Sequence, residues 1–251
     1  MNNSILHSLY SFFILLSGGT FIARPFVKAR LTGIGFYKLI ASVSLGSLLI
    51  SFVLSLVYFK SHAVLMGVIL LALIQEFLRK NEEDSVATVF RYYSINILFG
   101  FLLYKSYWGV AYFFFLFALF TLGLTNYLML LGHYYLVVPK LTTAPLIRAS
   151  QFLWLVLGIK ILMSCYGIYQ AREYLTEGTV LGMGYLYNFI FVSMRVLWGY
   201  VALAVLSFFG YRCAKMNSTQ SATGIFYIMV FFVLIGELLS LYLWHEMGVL
   251  I

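Results

Sequence analysis

The sequence predicts an all-α, polytopic integral membrane protein, a single domain (residues 1–251) built as a bundle of eight transmembrane helices. Three observations carry this. Of 251 residues, 63% are hydrophobic and only 10% charged, whereas a soluble domain solvates its surface with roughly 25% charged residues. The apolar residues fall into long runs, and a helix of about 20 apolar residues spans the ~30 Å hydrocarbon core of a bilayer. The charged residues sit in short connections between those runs. Because lipid offers no partner for a backbone N–H or C=O, such runs are helices rather than open strands.

Taken in order, the first run is about Ile5 to Ala23, ending at Arg24-Pro25. It lacks the positive leading region and small-residue cleavage site of a signal peptide, so a retained helix is expected. The second is about Leu39 to Phe59, and a tight turn at Lys60-Ser61-His62 leads to the third, about Ala63 to Leu78. The stretch Arg79-Lys80-Asn81-Glu82-Glu83-Asp84 is the most hydrophilic and belongs in water. The fourth run, about Val86 to Tyr104, carries Arg91 and Asn96, and Lys105-Ser106 forms another tight turn. The fifth, about Tyr107 to Val137, is long enough to tilt, and a loop from Pro139 to Pro145 follows it. The sixth is about Ala149 to Tyr169, the seventh about Met183 to Phe209 and the eighth about Ala222 to Trp244. Polar loops at Gln170 to Gly182 and Arg212 to Ser221 separate them. The three prolines all fall at loops, so no helix is expected to be broken. No internal repeat is apparent.

The net charge is +8. In this context it reflects the positive-inside rule rather than nucleic-acid binding. With the N-terminus outside, eleven Lys and Arg fall on inner connections and three (Lys60, Lys105 and Arg172) on outer ones. Removing one helix would reverse every later loop, so this bias supports both the helix count and the orientation, with both termini outside a bacterial inner membrane. The two remaining cations, Lys160 and Arg195, fall within helices. Cys165 and Cys213 lie toward opposite faces, so no disulfide is expected.

Ionisable groups inside a membrane are costly and need a partner or a wet cavity. Lys160 lies near the middle of the sixth helix, Arg195 near the middle of the seventh and Glu237 in the eighth. Consecutive helices joined by short loops are readily neighbours, so Glu237 can neutralise either cation and leave about one net positive charge at mid-depth. One reading is a buried site for an anionic or carbonyl-bearing ligand, or a proton path. The other is an inter-helix ion pair that fixes registry. His133 lies toward the inner end of the fifth helix, on one face with Asn126 seven residues earlier. It reads as a hydrogen-bond donor to a quinone carbonyl, a haem ligand or a proton relay, or simply as an interfacial histidine. Gly132 lets a neighbour approach it closely. His7, His62 and His245 all fall near the outer face, where two of them could ligate a metal ion or a haem b iron. Glu76 is expected to pair locally with Arg79 or Lys80. Asn96, Gln151 and Asn188 are expected to join helices, and Gly18-Gly19 to allow close packing. The sequence carries no Walker, GxSxG, HExxH or paired-carboxylate metal motif, so no catalytic activity of its own is indicated.

The last helix reads Ile235-Gly236-Glu237-Leu238-Leu239-Ser240-Leu241-Tyr242-Leu243-Trp244. This is similar to the Gly-Glu-x-x-x-Arg-Tyr pattern of the membrane anchors of DMSO-reductase and polysulfide-reductase type complexes, with Leu241 where that pattern has Arg. The resemblance spans about ten residues and implies a quinone-facing, electron-transport subunit whose redox centres lie in partner chains. It singles out Glu237 as a polar-site residue. The expected function is therefore a membrane-anchor subunit in the lipid bilayer with other membrane or peripheral subunits. The alternatives are a secondary transporter or channel and a non-catalytic membrane scaffold.

Overall fold

The structure is a computed structural model that describes residues 3–27, 29–58, 60–79, 86–138, 141–172 and 184–251. Among the described residues the chain is all-helical, with no strand, and eight long helices carry the eight apolar runs. They are α1 (Asn3–Ile22), α2 (Ile34–Tyr58), α3 (Lys60–Phe77), α4 (Val86–Ser106), α5 (Val110–Val137), α6 (Ala144–Gln170), α7 and α8 (Thr219–Met247). Helix α7 begins as Gly184–Val196, passes through a π-helical segment at Leu197–Ala202 and continues as Leu203–Lys215. Residues 80–85 and 173–183, with Lys28, Phe59, Pro139 and Lys140, lie outside the described residues.

Several boundaries differ from the sequence expectation for identifiable reasons. Helix α2 starts five residues early, directly after Gly33, whose φ of 74° is the left-handed conformation that glycine adopts without penalty. Lys60-Ser61-His62 is the first turn of α3 rather than a connection. Pro145 sits in the first turn of α6, not in a loop, where its missing N–H has no intrahelical partner to lose. Gly109 (φ 59°) precedes α5, and Gly248 (φ 71°) closes α8.

Six of the helices are long and apolar enough to cross a membrane: Ser4–Phe26, Ile34–Val57, Val110–Val137, Ala144–Gln170, Phe189–Lys215 and Thr219–Met247. The apolar part of α3, His62–Phe77, is shorter, and α4, which carries Arg91 and Asn96, is not among the six. The exterior is apolar too, with Val64, Leu71, Phe90, Ile97 and Leu162 among its exposed side chains. Soluble proteins avoid such large contiguous apolar surfaces. This is consistent with an integral membrane protein.

Helix α5 is the axis of the bundle. In its most apolar window 78% of the residues are buried, against 22% for α7, which lies at the periphery. It packs on α1, α6 and α8. Where α1 crosses it, Gly19 and Gly123 meet backbone to backbone, and a Cβ on either would collide with the other helix. Polar groups tie the same contact: Asn126 Nδ2 donates to Thr20 Oγ1 at 2.9 Å. Ser17 Oγ donates to the Ser44 carbonyl of α2 at 2.7 Å, and Ser51 Oγ to the Tyr10 carbonyl at 2.9 Å.

Contacts at the two ends establish that successive helices run up and down. At one end, Tyr10 meets His62, and His245 meets His7 and Tyr107. At the other, Arg24 meets Glu76 and Arg91 meets the same carboxylate, while Tyr227 meets His133.

The glycine crossing predicts an asymmetry. Gly123→Ala forces a Cβ into the Gly19 backbone and should destabilise by about 1–3 kcal/mol, the usual cost of overpacking. Gly46→Ala, where nothing lies within 4 Å of the added Cβ, should be neutral or stabilise by up to ~1 kcal/mol through helix propensity. Thermal unfolding of the two variants in detergent checks this, and equal melting temperatures would refute the close crossing.

Candidate functional site: a buried charge cluster between the last three helices

Lys160, Arg195 and Glu237 meet. Lys160 Nζ donates to Glu237 Oε2 in a short ion pair. Arg195 Nη1 and Nη2 reach Glu237 Oε1 at 3.5 and 3.4 Å. All three side chains are at most 1% exposed. One carboxylate thus bridges two cations from two different helices, and the formal charges leave one positive charge over. A charge taken out of water costs several kcal/mol unless it is paired and hydrogen-bonded, and the remaining contacts supply that. Arg195 Nη2 donates to the Tyr200 hydroxyl at 2.9 Å, and Arg195 Nε to the Ile251 carbonyl oxygen at 3.0 Å. Ser164 and Ser240 extend the network through short bonds to the Tyr200 hydroxyl and the Ile251 oxygen. Lys160 Nζ also lies 5.0 Å from the centre of the Phe114 ring on α5, within reach of a cation–π attraction.

The local backbone explains how an arginine fits there. Gly199 on α7 and Gly236 on α8 touch, and a Cβ on Gly199 would overlap Arg195 Nη1. The guanidinium therefore fills the space that the missing side chains leave. Arg195 and Tyr200 are five residues apart. In an α-helix of 3.6 residues per turn they would point about 140° apart. The π-helical segment that begins two residues after Arg195 has a wider turn with i→i+5 spacing, and it swings Tyr200 round to the guanidinium. As the absence of proline signalled, α7 is not broken, but it carries an irregularity where it packs around a buried charge.

A cavity of about 510 Å³ is lined in part by Phe114, the ring that faces Lys160, but by none of the three charged side chains. Its walls include Phe114 of α5, Met163 and Gly167 of α6, and Val249 and Leu250 of the segment after α8. Phe114 thus has one neighbour in the cavity and the other at Lys160. Met163 and Gly167 follow Lys160 at i+3 and i+7, so they share its helix face one and two turns on.

The other sequence candidates are dispersed. Asn126 is buried against Thr20 of α1, whereas His133 is exposed and lies 3.0 Å from the Tyr227 hydroxyl. The two do not form a joint site. Gly132 does admit a close neighbour, since a Cβ there would come within 2.9 Å of the Thr223 hydroxyl of α8. His7, His62 and His245 gather at one end. The rings of His7 and His245 are 5.4 Å apart, and His62 Nδ1 lies 2.8 Å from the Tyr10 hydroxyl. Among the described residues no group of three or more His, Cys, Asp or Glu is placed to hold a metal ion.

Glu76 pairs across helices, with Arg24 at 2.8 Å and Arg91 at 3.3 Å, rather than through a purely local bond. Asn96 bonds back to the Tyr92 carbonyl of its own helix, and Gln151 is exposed, so neither joins helices as expected. The side chain of Asn188 lies outside the described residues. Both cysteines are free.

Tyr200, Ser164, Ser240, Gly199 and the segment Gly248–Ile251 escaped the sequence reading. The only available signal was spacing: Gly199 four residues after Arg195, and Ser240 three after Glu237, share a face with the charge. No family model, curated protein or solved structure matches the chain.

The arithmetic of the cluster predicts unequal effects. Glu237→Gln leaves two buried cations without a counter-charge and should cost roughly 3–5 kcal/mol. Lys160→Met leaves the Arg195–Glu237 pair balanced and should cost far less or be neutral. Chemical unfolding in mixed micelles measures both, and equal losses would refute a carboxylate shared by two cations.

Proposed function

We propose that this chain is an integral membrane subunit of a larger complex. Its buried cluster of Lys160, Arg195 and Glu237 receives the polar head of a carbonyl-bearing or anionic ligand, a quinone being the leading candidate, or hands on a proton. The observation that carries this reading is the meeting of three fully buried ionisable groups, one of which, Lys160, faces the Phe114 ring that also lines a 510 Å³ cavity. A ligand carbonyl or anionic head there would accept from Lys160 or Arg195, and its apolar body would lie against Met163 and Leu250. Soluble partner chains would carry any redox centres.

In this reading all eight helices cross the bilayer. Helix α3, with 18 residues, is about 27 Å long at 1.5 Å per residue, close to the hydrocarbon thickness. Arg91 of α4 is paired with Glu76, which it shares with Arg24. The membrane is a bacterial inner membrane with both termini outside, because that places the arginine-rich end of the bundle on the cytoplasmic side.

Two measurements test this. Single cysteines introduced at Ser218 and Trp108, in a background lacking Cys165 and Cys213, should be labelled by an impermeant maleimide from opposite sides. Ser218→Cys should react only from the cytoplasmic side, and labelling of both from one side would overturn the topology. Lys160→Met and Glu237→Gln should each lower quinol-linked electron transfer or proton movement in membranes at least about ten-fold, equivalent to some 1.4 kcal/mol. Unchanged rates at normal expression would defeat the site assignment. A secondary transporter is the second reading, favoured by the π-helical segment at mid-helix, and substrate flux in proteoliposomes would select it.

A further inference from the structure

The segment Gly248–Ile251 does not trail away from the bundle. Gly248 turns the chain in the left-handed conformation, and Val249 and Ile251 are then buried, Ile251 completely. Two donors converge on one oxygen of Ile251: Arg195 Nε at 3.0 Å, and Ser240 Oγ through a short bond. Arg195 is one of the two cations on Glu237, so that oxygen occupies a position where an outside acceptor would be held. On the α6 side, the Leu250 carbonyl lies against Gly167, where any Cβ would collide with it. Val249 and Leu250 also form one wall of the 510 Å³ cavity. A single short segment thus fills an acceptor position at Arg195 and Ser240 and forms one wall of the cavity.

We propose that Gly248–Ile251 is an internal plug. Its Ile251 oxygen stands in for the head of the ligand, an apolar molecule carrying a carboxylate or carbonyl oxygen, and binding of that ligand to Arg195 and Ser240 displaces the segment. This inference rests on the reading of the charge cluster as a ligand site. Two features specify the ligand class. The head faces two donors, Arg195 Nε and Ser240 Oγ, so it must be an acceptor. The body faces Phe114, Met163 and Leu250, so it must be apolar. If the plug is seated in about nine molecules of ten, the apparent affinity is roughly ten-fold weaker than that of the open site.

The test uses the full chain in nanodiscs, titrated separately with dodecanoate and with decyl-benzoquinone, which present the two kinds of head. Replacing Val249, Leu250 and Ile251 with Gly, Ser and Gly should tighten binding of at least one probe about ten-fold, and the stronger probe identifies the head. Adding Arg195→Gln should abolish the gain. Gly167→Val dislodges Leu250 from α6 without altering the segment and should tighten binding in the same direction, so a poorly folded replacement does not leave the matter open. In a chain otherwise native but lacking Cys165 and Cys213, Leu250→Cys should react with a maleimide several-fold faster once the probe is bound. Equal, Arg195-dependent affinity in the native, replaced and Gly167→Val chains would overturn the plug while leaving the ligand site standing. Absence of Arg195-dependent binding in all of them would overturn both.

Discussion

Glu237 is the group on which the second half of the molecule depends. A lone ammonium or guanidinium in an apolar interior is held only by a counter-charge, and one carboxylate here serves Lys160 from α6 and Arg195 from α7. That requirement fixes the register of three helices at once. Sliding any of them by a residue would part a charge from its partner. Gly199 and Gly236 then become necessary, because the guanidinium needs the volume of two missing side chains. The π-helical segment follows from the same demand, since it brings the Tyr200 hydroxyl onto Arg195 Nη2, which also reaches Glu237.

The other half of the bundle uses the same device. Glu76 of α3 receives Arg24 from the end of α1 and Arg91 from α4. Each half therefore has one buried carboxylate shared by two cations from different helices. Between them runs α5, where the Gly19–Gly123 contact brings α1 close enough for Asn126 to reach Thr20. The chemistry of the two clusters differs in their surroundings. The one at Glu237 has no exposed member and shares the Phe114 ring with a cavity of about 510 Å³, whereas Arg91 is partly exposed and the space beside Arg24 is only about 160 Å³.

Much of this was readable along the chain, and the failures have a common cause. The apolar runs located all eight helices, because burial of backbone polar groups leaves a long apolar segment little choice but a helix. The meeting of Lys160, Arg195 and Glu237 was also readable, because buried charge demands a partner and few partners existed. The boundaries at Lys60 and Pro145 were misplaced because polar residues and proline suit the first turn of a helix as well as they suit a loop. His133 and Asn126 were placed together from a spacing of seven. Yet a side chain at each end of two helical turns meets a different neighbour, and here one meets Thr20 of α1 while the other, exposed, meets Tyr227 of α8.

The sequence by itself determined the helical class, the number of long helices and the three charges that had to be reconciled. Each of these follows from composition and from the cost of burying a backbone dipole or an ion, quantities that do not depend on neighbours. Only the tertiary structure decided that one carboxylate serves two cations, that α7 widens beside Arg195, and that Gly248–Ile251 folds back to offer an oxygen to Arg195. These are matters of which surfaces touch. Local spacing carries no information about a contact between residues 56 positions apart.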